Sequence, residues 1–321
     1  MNPILVVIAA SGTGFLAYRL TRFLSRRFIS MGITGLDLHK PNSPVRAEMG
    51  GLALLLSLSF GSTILVAFDG ERSAFFLTGL GTIFLVGLIG LADDHFELRQ
   101  RHKALLIAAA GIPLSISLIG RTSISFPMIG TIPFGLLYPI LLVPFALTAS
   151  ANFSNMLAGF NGLEAGIATI SIGTLTFLSG VRGAWDAVVL GLLLLFGYLG
   201  FLTLNWYPAK IFPGDAGTLM FGAGIATVGL MSRLEFAAIV LLIPAALDCS
   251  LKALSKKPFA QRKLFGNTKV DSEGRLEPPD YPALAHAFMR VAPTTEKTLV
   301  LWILLMEALF AVMAVALTLA F

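Results

Sequence analysis

The chain has 321 residues, of which 56% are hydrophobic and 13% charged, with a formal net charge of +5. A charged share about half that of soluble domains excludes a chain that hides its apolar surface in one soluble core. The basic excess sits in the gaps between apolar runs, which fits orientation in a bilayer with anionic headgroups rather than nucleic acid. The single cysteine, Cys249, excludes an intrachain disulfide and a CxxC metal site, and the four histidines show no metal-ligand spacing.

Ten apolar segments of spanning length are predicted, at 3–23, 49–68, 74–92, 104–120, 134–151, 160–180, 184–204, 216–232, 234–254 and 298–320. The first is read as a span and not a signal peptide, because its basic residues (Arg19, Arg22, Arg26 and Arg27) follow the apolar run. The loops alternate between two faces, and 19 of the 23 Lys and Arg lie on one of them. The other face carries only Arg72, Arg121, Arg182 and Arg233. The positive-inside rule then puts both termini outside and the polar loops in the cytoplasm. The expectation is an all-α polytopic membrane protein in the cell membrane, one domain over residues 1–321. Its long cytoplasmic loop, at about 255–297, reads as largely irregular. Glu307 is the ionisable residue read inside a span, and no repeat symmetry is visible, so a transporter is the rival from another class.

Four strings on the basic face carry the unusual residues. GLDLHKPNSPVRAEMGG at 35–51 ends in Glu48 at a helix start, stiffened by Pro41 and Pro44. LADDHFELRQRHK at 91–103 sets Asp93 and Asp94 side by side at a membrane boundary, followed by Arg99, Arg101 and Lys103. Adjacent carboxylates there need a cation or proton; the bland alternative is a solvated helix end. NFSNMLAGFNGLEAG at 152–166, read as the link between the fifth and sixth spans, carries three asparagines and three glycines. Amide oxygens suit a hard metal, an amide edge suits a base, and glycine allows close backbone approach; the alternative is a helix-breaking loop. IFPGDAGTLMFG at 211–222 puts Asp215 in a glycine turn at a helix mouth, either as a cap or beside bound phosphate. The 255–297 loop adds cations, among them Lys256, Lys257, Arg262 and Lys263. Carboxylates, amides, glycines and cations converging on one face describe a site for metal-bound phosphates.

Together these strings resemble the polyprenyl-phosphate N-acetylhexosamine-1-phosphate transferases, a group within glycosyltransferase family 4. NMLAGFNGLEAG and ADDHFELRQRHK are most similar to the archaeal and eukaryotic branch, which moves N-acetylglucosamine-1-phosphate from UDP-N-acetylglucosamine to dolichyl phosphate and opens N-glycan assembly. The resemblance implies a ten-span enzyme, a UDP-sugar donor, a polyprenyl or dolichyl phosphate acceptor, membrane lipid around it, no nucleic-acid partner, and a homodimer. It implies Mg²⁺, with Mn²⁺ as a substitute, on Asn155 and Asp215. It implies catalytic roles for Asp93, Asp94 and Lys103. Substrate contacts would fall to Glu48, to Gly159 and Asn161 at the uracil, to Phe212 stacked on that base, and to Arg262 and Lys263 in the last loop. The histidine cluster of the bacterial branch has no counterpart in that loop, and no paired-arginine motif aligns there. A bacterial-type transferase acting on undecaprenyl phosphate with another UDP-amino sugar is therefore the alternative within the enzyme class.

Overall fold

The computed structural model describes residues 2–40, 42–68, 73–254 and 268–321. Pro41, Arg72, the Lys256–Lys257 pair, Arg262 and Lys263 lie outside the described residues. The first half of the chain forms α1 (Pro3–Met31), α2 (Gly51–Phe68), α3 (Ala74–Phe96), α4 (Gln100–Ala110) and α5 (Ile112–Ser117). A π-helical turn at Tyr138–Leu142 then runs into α6 (Val143–Met156). There follow α7 (Leu163–Val181), α8 (Trp185–Asn205), α9 (Gly214–Met231), α10 (Glu235–Ala253), α11 (Leu284–Val291) and α12 (Glu296–Ala320). Among the described residues, seven helices (α1, α2, α3, α7, α8, α10 and α12) are long and apolar enough to cross a membrane. Large apolar side chains such as Ile4, Phe15, Leu105, Phe145 and Leu309 point outward, as lipid-facing residues do. The protein is a helical, polytopic membrane protein.

Helix α9 is the centre of the bundle. Every residue from Ala216 to Met231 is buried, enclosed by α2, α3, α6, α7, α8 and α10. A helix covered by protein on all sides needs small residues more than large apolar ones. A Cβ on Gly90 would lie 2.4 Å from the Ala216 Cα, and one on Gly222 would lie 2.2 Å from the Ser150 carbonyl oxygen. The α3–α9 and α6–α9 pairs therefore pack backbone to backbone. At the far end Arg121 donates to the Leu230 and Met231 carbonyls, placing a cation on the C-terminus of α9.

Among the described residues, three two-stranded antiparallel hairpins lie at the helix ends: β1 (Thr34–Leu36) with β2 (Val45–Ala47), β3 (Ser123–Phe126) with β4 (Gly130–Pro133), and β5 (Lys269–Val270) with β6 (Leu276–Glu277). The first positions the site. Ala47 bridges Ile211 in parallel, the Phe212 N–H donates to the Ala47 carbonyl at 2.8 Å, and the Gly50 and Gly51 N–H groups donate to Phe212 and Pro213 at 2.9 and 2.7 Å. The starts of α2 and α9 are thereby sewn together.

The architecture departs from expectation in four places. The segment expected at 104–120 is two helices, because the chain restarts at Gly111–Pro113. The helix expected to stop at 151 runs to Met156, so Asn152 and Asn155 sit on its last turns and not in a loop. The next helix begins at Leu163 and not 160, since Gly159 and Gly162 adopt φ of 131° and 79°. The described part of the 255–297 loop is more ordered than expected: it holds the β5–β6 hairpin and α11.

Candidate active site

The acidic pair closes the C-terminal end of α3, and its two members do different work. Asp94 reaches across to α9, accepting the Asp215 N–H at 2.6 Å and the Ala216 N–H at 3.2 Å. It therefore caps a helix on another part of the chain, where a carboxylate also meets the positive end of the dipole. Asp93 accepts the Leu98 N–H at 2.7 Å on one oxygen and the Lys103 ammonium at 2.5 Å on the other. Lys103, on α4, is fully buried and also reaches Asp215 at 3.0 Å. One lysine thus bridges two carboxylates, and Asp215 keeps 28% of its side chain exposed. Thr218, one turn further along α9, donates to the Asn155 side-chain oxygen at 2.8 Å.

Asp215 and Asn155 open onto a cavity of about 340 Å³, a size suited to a small-molecule site. Its wall includes Glu48, Asn155, Gly159, Phe212 and Asp215. Five of the residues singled out in the sequence thus share one cavity. Asp93, Asp94 and Lys103 stand behind Asp215 and not on the wall. Asn161 is buried and likewise not on the wall. Its N–H and amide nitrogen donate to Glu296 at 2.7 and 2.6 Å, and its side-chain oxygen accepts the Ala209 N–H at 3.1 Å.

Several wall residues are not among those singled out in the sequence. Glu164 lies on the first turn of α7 and accepts the Gly159 N–H at 2.6 Å, holding the glycine loop from below. Asp248 and Lys252 pair at 2.7 Å inside α10, where an i, i+4 ion pair within an apolar run was a legible signal of function. They correct the expectation that Glu307 is the ionisable residue inside a span. Lys252 also donates to the Met156 carbonyl at 2.5 Å, and Asp248 accepts the Leu284 N–H at 2.9 Å, docking α11 on the cavity rim. His286 from α11 completes that rim.

A family model described as glycosyl transferase family 4 matches residues 76–233. Over 306 residues the chain is 34% identical to a Saccharolobus solfataricus protein, covering 94% of each chain. A Sulfolobus acidocaldarius protein is 33% identical over 291 residues, covering 88% of this chain and 87% of its own. Both relatives are provisionally named UDP-N-acetylglucosamine–dolichyl-phosphate N-acetylglucosaminephosphotransferase. The chain belongs to glycosyl transferase family 4. Bacterial relatives of this family 4 chain include the phospho-N-acetylmuramoyl-pentapeptide-transferase of Anoxybacillus flavithermus, 31% identical over 207 residues, covering 60% of this chain and 63% of that one. The span matched by the family 4 model runs from α3 to the end of α9, and so includes Asp93, Asp94, Lys103, Asn155 and Asp215.

Burial pushes the Glu48 carboxyl up from its ordinary value of 4.5. The chain bends so that Glu48 packs against Gly35, where any Cβ would lie 2.0 Å from the Glu48 Oε1. A carboxyl raised in the folded state disfavours folding once ionised. Stability should therefore fall as pH rises from about 4.5 through the raised value, then level off. Melting curves of wild type and Glu48→Gln across that window should diverge, the variant gaining relative stability as pH rises. A pH-independent difference would mean that folding does not shift the Glu48 carboxyl.

Proposed function

We propose that this protein transfers N-acetylglucosamine-1-phosphate from UDP-N-acetylglucosamine to a dolichyl or related polyprenyl phosphate, releasing UMP. The observation that carries this reading is the Asp93–Lys103–Asp215 bridge, capped by Asp94 and opening onto a cavity that also holds Asn155, Phe212 and Glu48. The archaeal relatives' names support the donor and acceptor. The ten apolar segments, with 19 of 23 basic residues on one face, support ten spans with termini outside and this site at the cytoplasmic membrane surface. The whole chain acts as one membrane domain, and family resemblance supports a homodimer.

The donor set fits Mg²⁺. Among the described residues no group of three His, Cys, Asp or Glu forms a protein-only cage. Mg²⁺ instead takes one or two protein oxygens together with water and substrate phosphates. Asp215 and the Asn155 side-chain oxygen would hold it, and when bound it offsets the charge of the diphosphate. The chain's own groups do the rest. An oxygen of the lipid phosphate attacks the β-phosphorus of the UDP-sugar, and the bond to the UMP oxygen breaks. The acceptor phosphate is ionised near neutral pH, so it needs little help from a base. Lys103 fixes Asp215 and adds positive charge beside two converging anions. Asp93 holds Lys103 in place, and Asp94 fixes the start of α9 that presents Asp215. Phe212 offers its ring to the base, and the Gly159 backbone approaches it without a side chain in the way.

Turnover in detergent tests the proposal, with polyprenyl phosphates of several lengths, Mg²⁺ and a panel of UDP-sugars, following UMP. The expected result is UMP release that requires both lipid and Mg²⁺ and is greatest with UDP-N-acetylglucosamine. Release with another UDP-amino sugar alone would reassign the sugar, and none from any donor would remove the transferase reading.

A further inference from the structure

The loop between α6 and α7 forms cavity wall at Gly159 and Phe160, yet two of its residues are glycines at positive φ. Backbone of that kind does not hold itself in one shape, and something must fix it. Glu164 holds Gly159, and Asn161 holds the rest of the loop from within the protein. Its backbone and side-chain N–H groups both donate to one oxygen of Glu296, its amide also faces Asp37 at 3.2 and 3.3 Å, and its oxygen accepts from Ala209. The other Glu296 oxygen accepts from Lys40 at 2.9 Å. Lys40 in turn pairs with Asp37 at 2.5 Å and lies 4.6 Å from the Tyr207 ring centre, while Arg46 stands 3.8 Å from Asp37. Two carboxylates and two cations, mostly buried, balance one another. A buried cluster of this kind is costly unless every partner is in place, so it tolerates one arrangement.

We infer that Glu296, in the first turn of α12, is a positioning residue for the nucleotide end of the cavity, acting through Asn161 on the Gly159–Gly162 loop. The inference rests on the transferase reading for the identity of the ligand as a uridine nucleotide. Glu296 itself does not reach the cavity wall, whereas Gly159, Phe160 and Asp37 do. His39, beside Asp37, stacks on Phe160 at 4.4 Å, so the two wall segments held by the cluster also hold each other. Loss of Glu296 releases the loop on the nucleotide side and leaves the Asp93–Lys103–Asp215 bridge, which belongs to other helices, in place. Its effect therefore falls on donor binding rather than on the transfer step.

The test is calorimetric titration of the intact protein in detergent with UDP, beside steady-state kinetics and a melting curve. Glu296→Ala should bind UDP at least tenfold more weakly and raise the KM for the UDP-sugar by a similar factor. Its kcat should stay within threefold of wild type, and its KM for lipid phosphate should not move. Glu296→Gln keeps an acceptor for Asn161 and should recover part of the loss. Should Glu296→Ala not fold, Lys40→Met combined with Glu296→Leu removes one charge of each sign together with the acceptor for Asn161, and the same weakening of UDP binding is expected there. UDP binding within twofold of wild type in the folded variants overturns the inference. So does a fall in kcat with donor KM unchanged, or an equal rise in both KM values. A wild-type protein that turns over but binds no UDP would overturn this inference alone, while one that binds UDP without turnover would overturn only the transferase reading.

Discussion

Lys103→Met should reduce kcat by about 10²–10³-fold, the range seen when one preorganised electrostatic partner is removed from a transition state. The ammonium is buried between Asp93 and Asp215, at 2.5 and 3.0 Å, and no solvent can replace it. The same change leaves those carboxylates facing each other without their cation. Breaking a buried pair on one side costs about 3–5 kcal/mol, so the variant should also melt at a lower temperature. The two losses separate experimentally: turnover is expressed per folded protein, taken from a monodisperse detergent peak, and the melting curve is recorded on the same sample. Lys103→Arg keeps the charge but offers a planar fork to a site shaped for a point charge, and it should fall between methionine and wild type. Turnover of Lys103→Met within about threefold of wild type, measured per folded protein, would remove Lys103 from the mechanism.

The members of that bridge stand out in the amino-acid sequence because they sit at the ends of apolar runs. A carboxylate pair at 93–94, a lysine at 103 and an aspartate at 215 are conspicuous in a chain with 13% charged residues. Their roles are less legible. Asp93 and Asp94 are neighbours in sequence, yet one fixes a lysine and the other caps a helix more than a hundred residues away. Nothing in the local string distinguishes them, since adjacent helical positions point about 100° apart and only the packing of α3 on α4 and α9 decides what each meets.

Polar strings mislead where a side chain can satisfy the backbone locally. NFSN reads as loop, but the Asn152 amide donates to the Thr148 carbonyl at 2.8 Å, one turn back, and the helix continues to Met156. The Lys40–Glu296 pair is invisible in the sequence for a different reason. Its partners lie 256 residues apart, and each alone reads as an ordinary charge, Lys40 in the turn between β1 and β2 and Glu296 at a helix start. A spanning helix is readable where lipid is the solvent, as in α1 or α12. The composition of α9 answers instead to protein neighbours on every side, and α9 is not among the helices whose length and hydropathy alone mark a span.

Gly90→Val should destabilise the protein by about 3 kcal/mol or more, at or above the upper end of ordinary overpacking. A Cβ at this position would stand 2.4 Å from the Ala216 Cα, 2.7 Å from the Ala216 nitrogen and 2.8 Å from the Asp215 carbonyl oxygen. All three are backbone atoms of the first turn of α9, so no side-chain rotation relieves the clash. The helices must separate, and the residues one turn beyond Gly90 are Asp93 and Asp94. Separation stretches the Asp94 hydrogen bonds to the Asp215 and Ala216 N–H groups and withdraws Asp93 from the lysine shared with Asp215. Activity per folded protein should therefore fall by more than tenfold, although the substitution touches no substrate. Gly81→Val on the same helix provides the control, because a Cβ there meets nothing within 4 Å. Its melting temperature and turnover should stay near wild type apart from the small propensity change, about 1 kcal/mol or less. Equal damage from both substitutions would mean that α3 tolerates no β-branched residue at all, and would detach the Gly90 effect from the approach of α3 to α9.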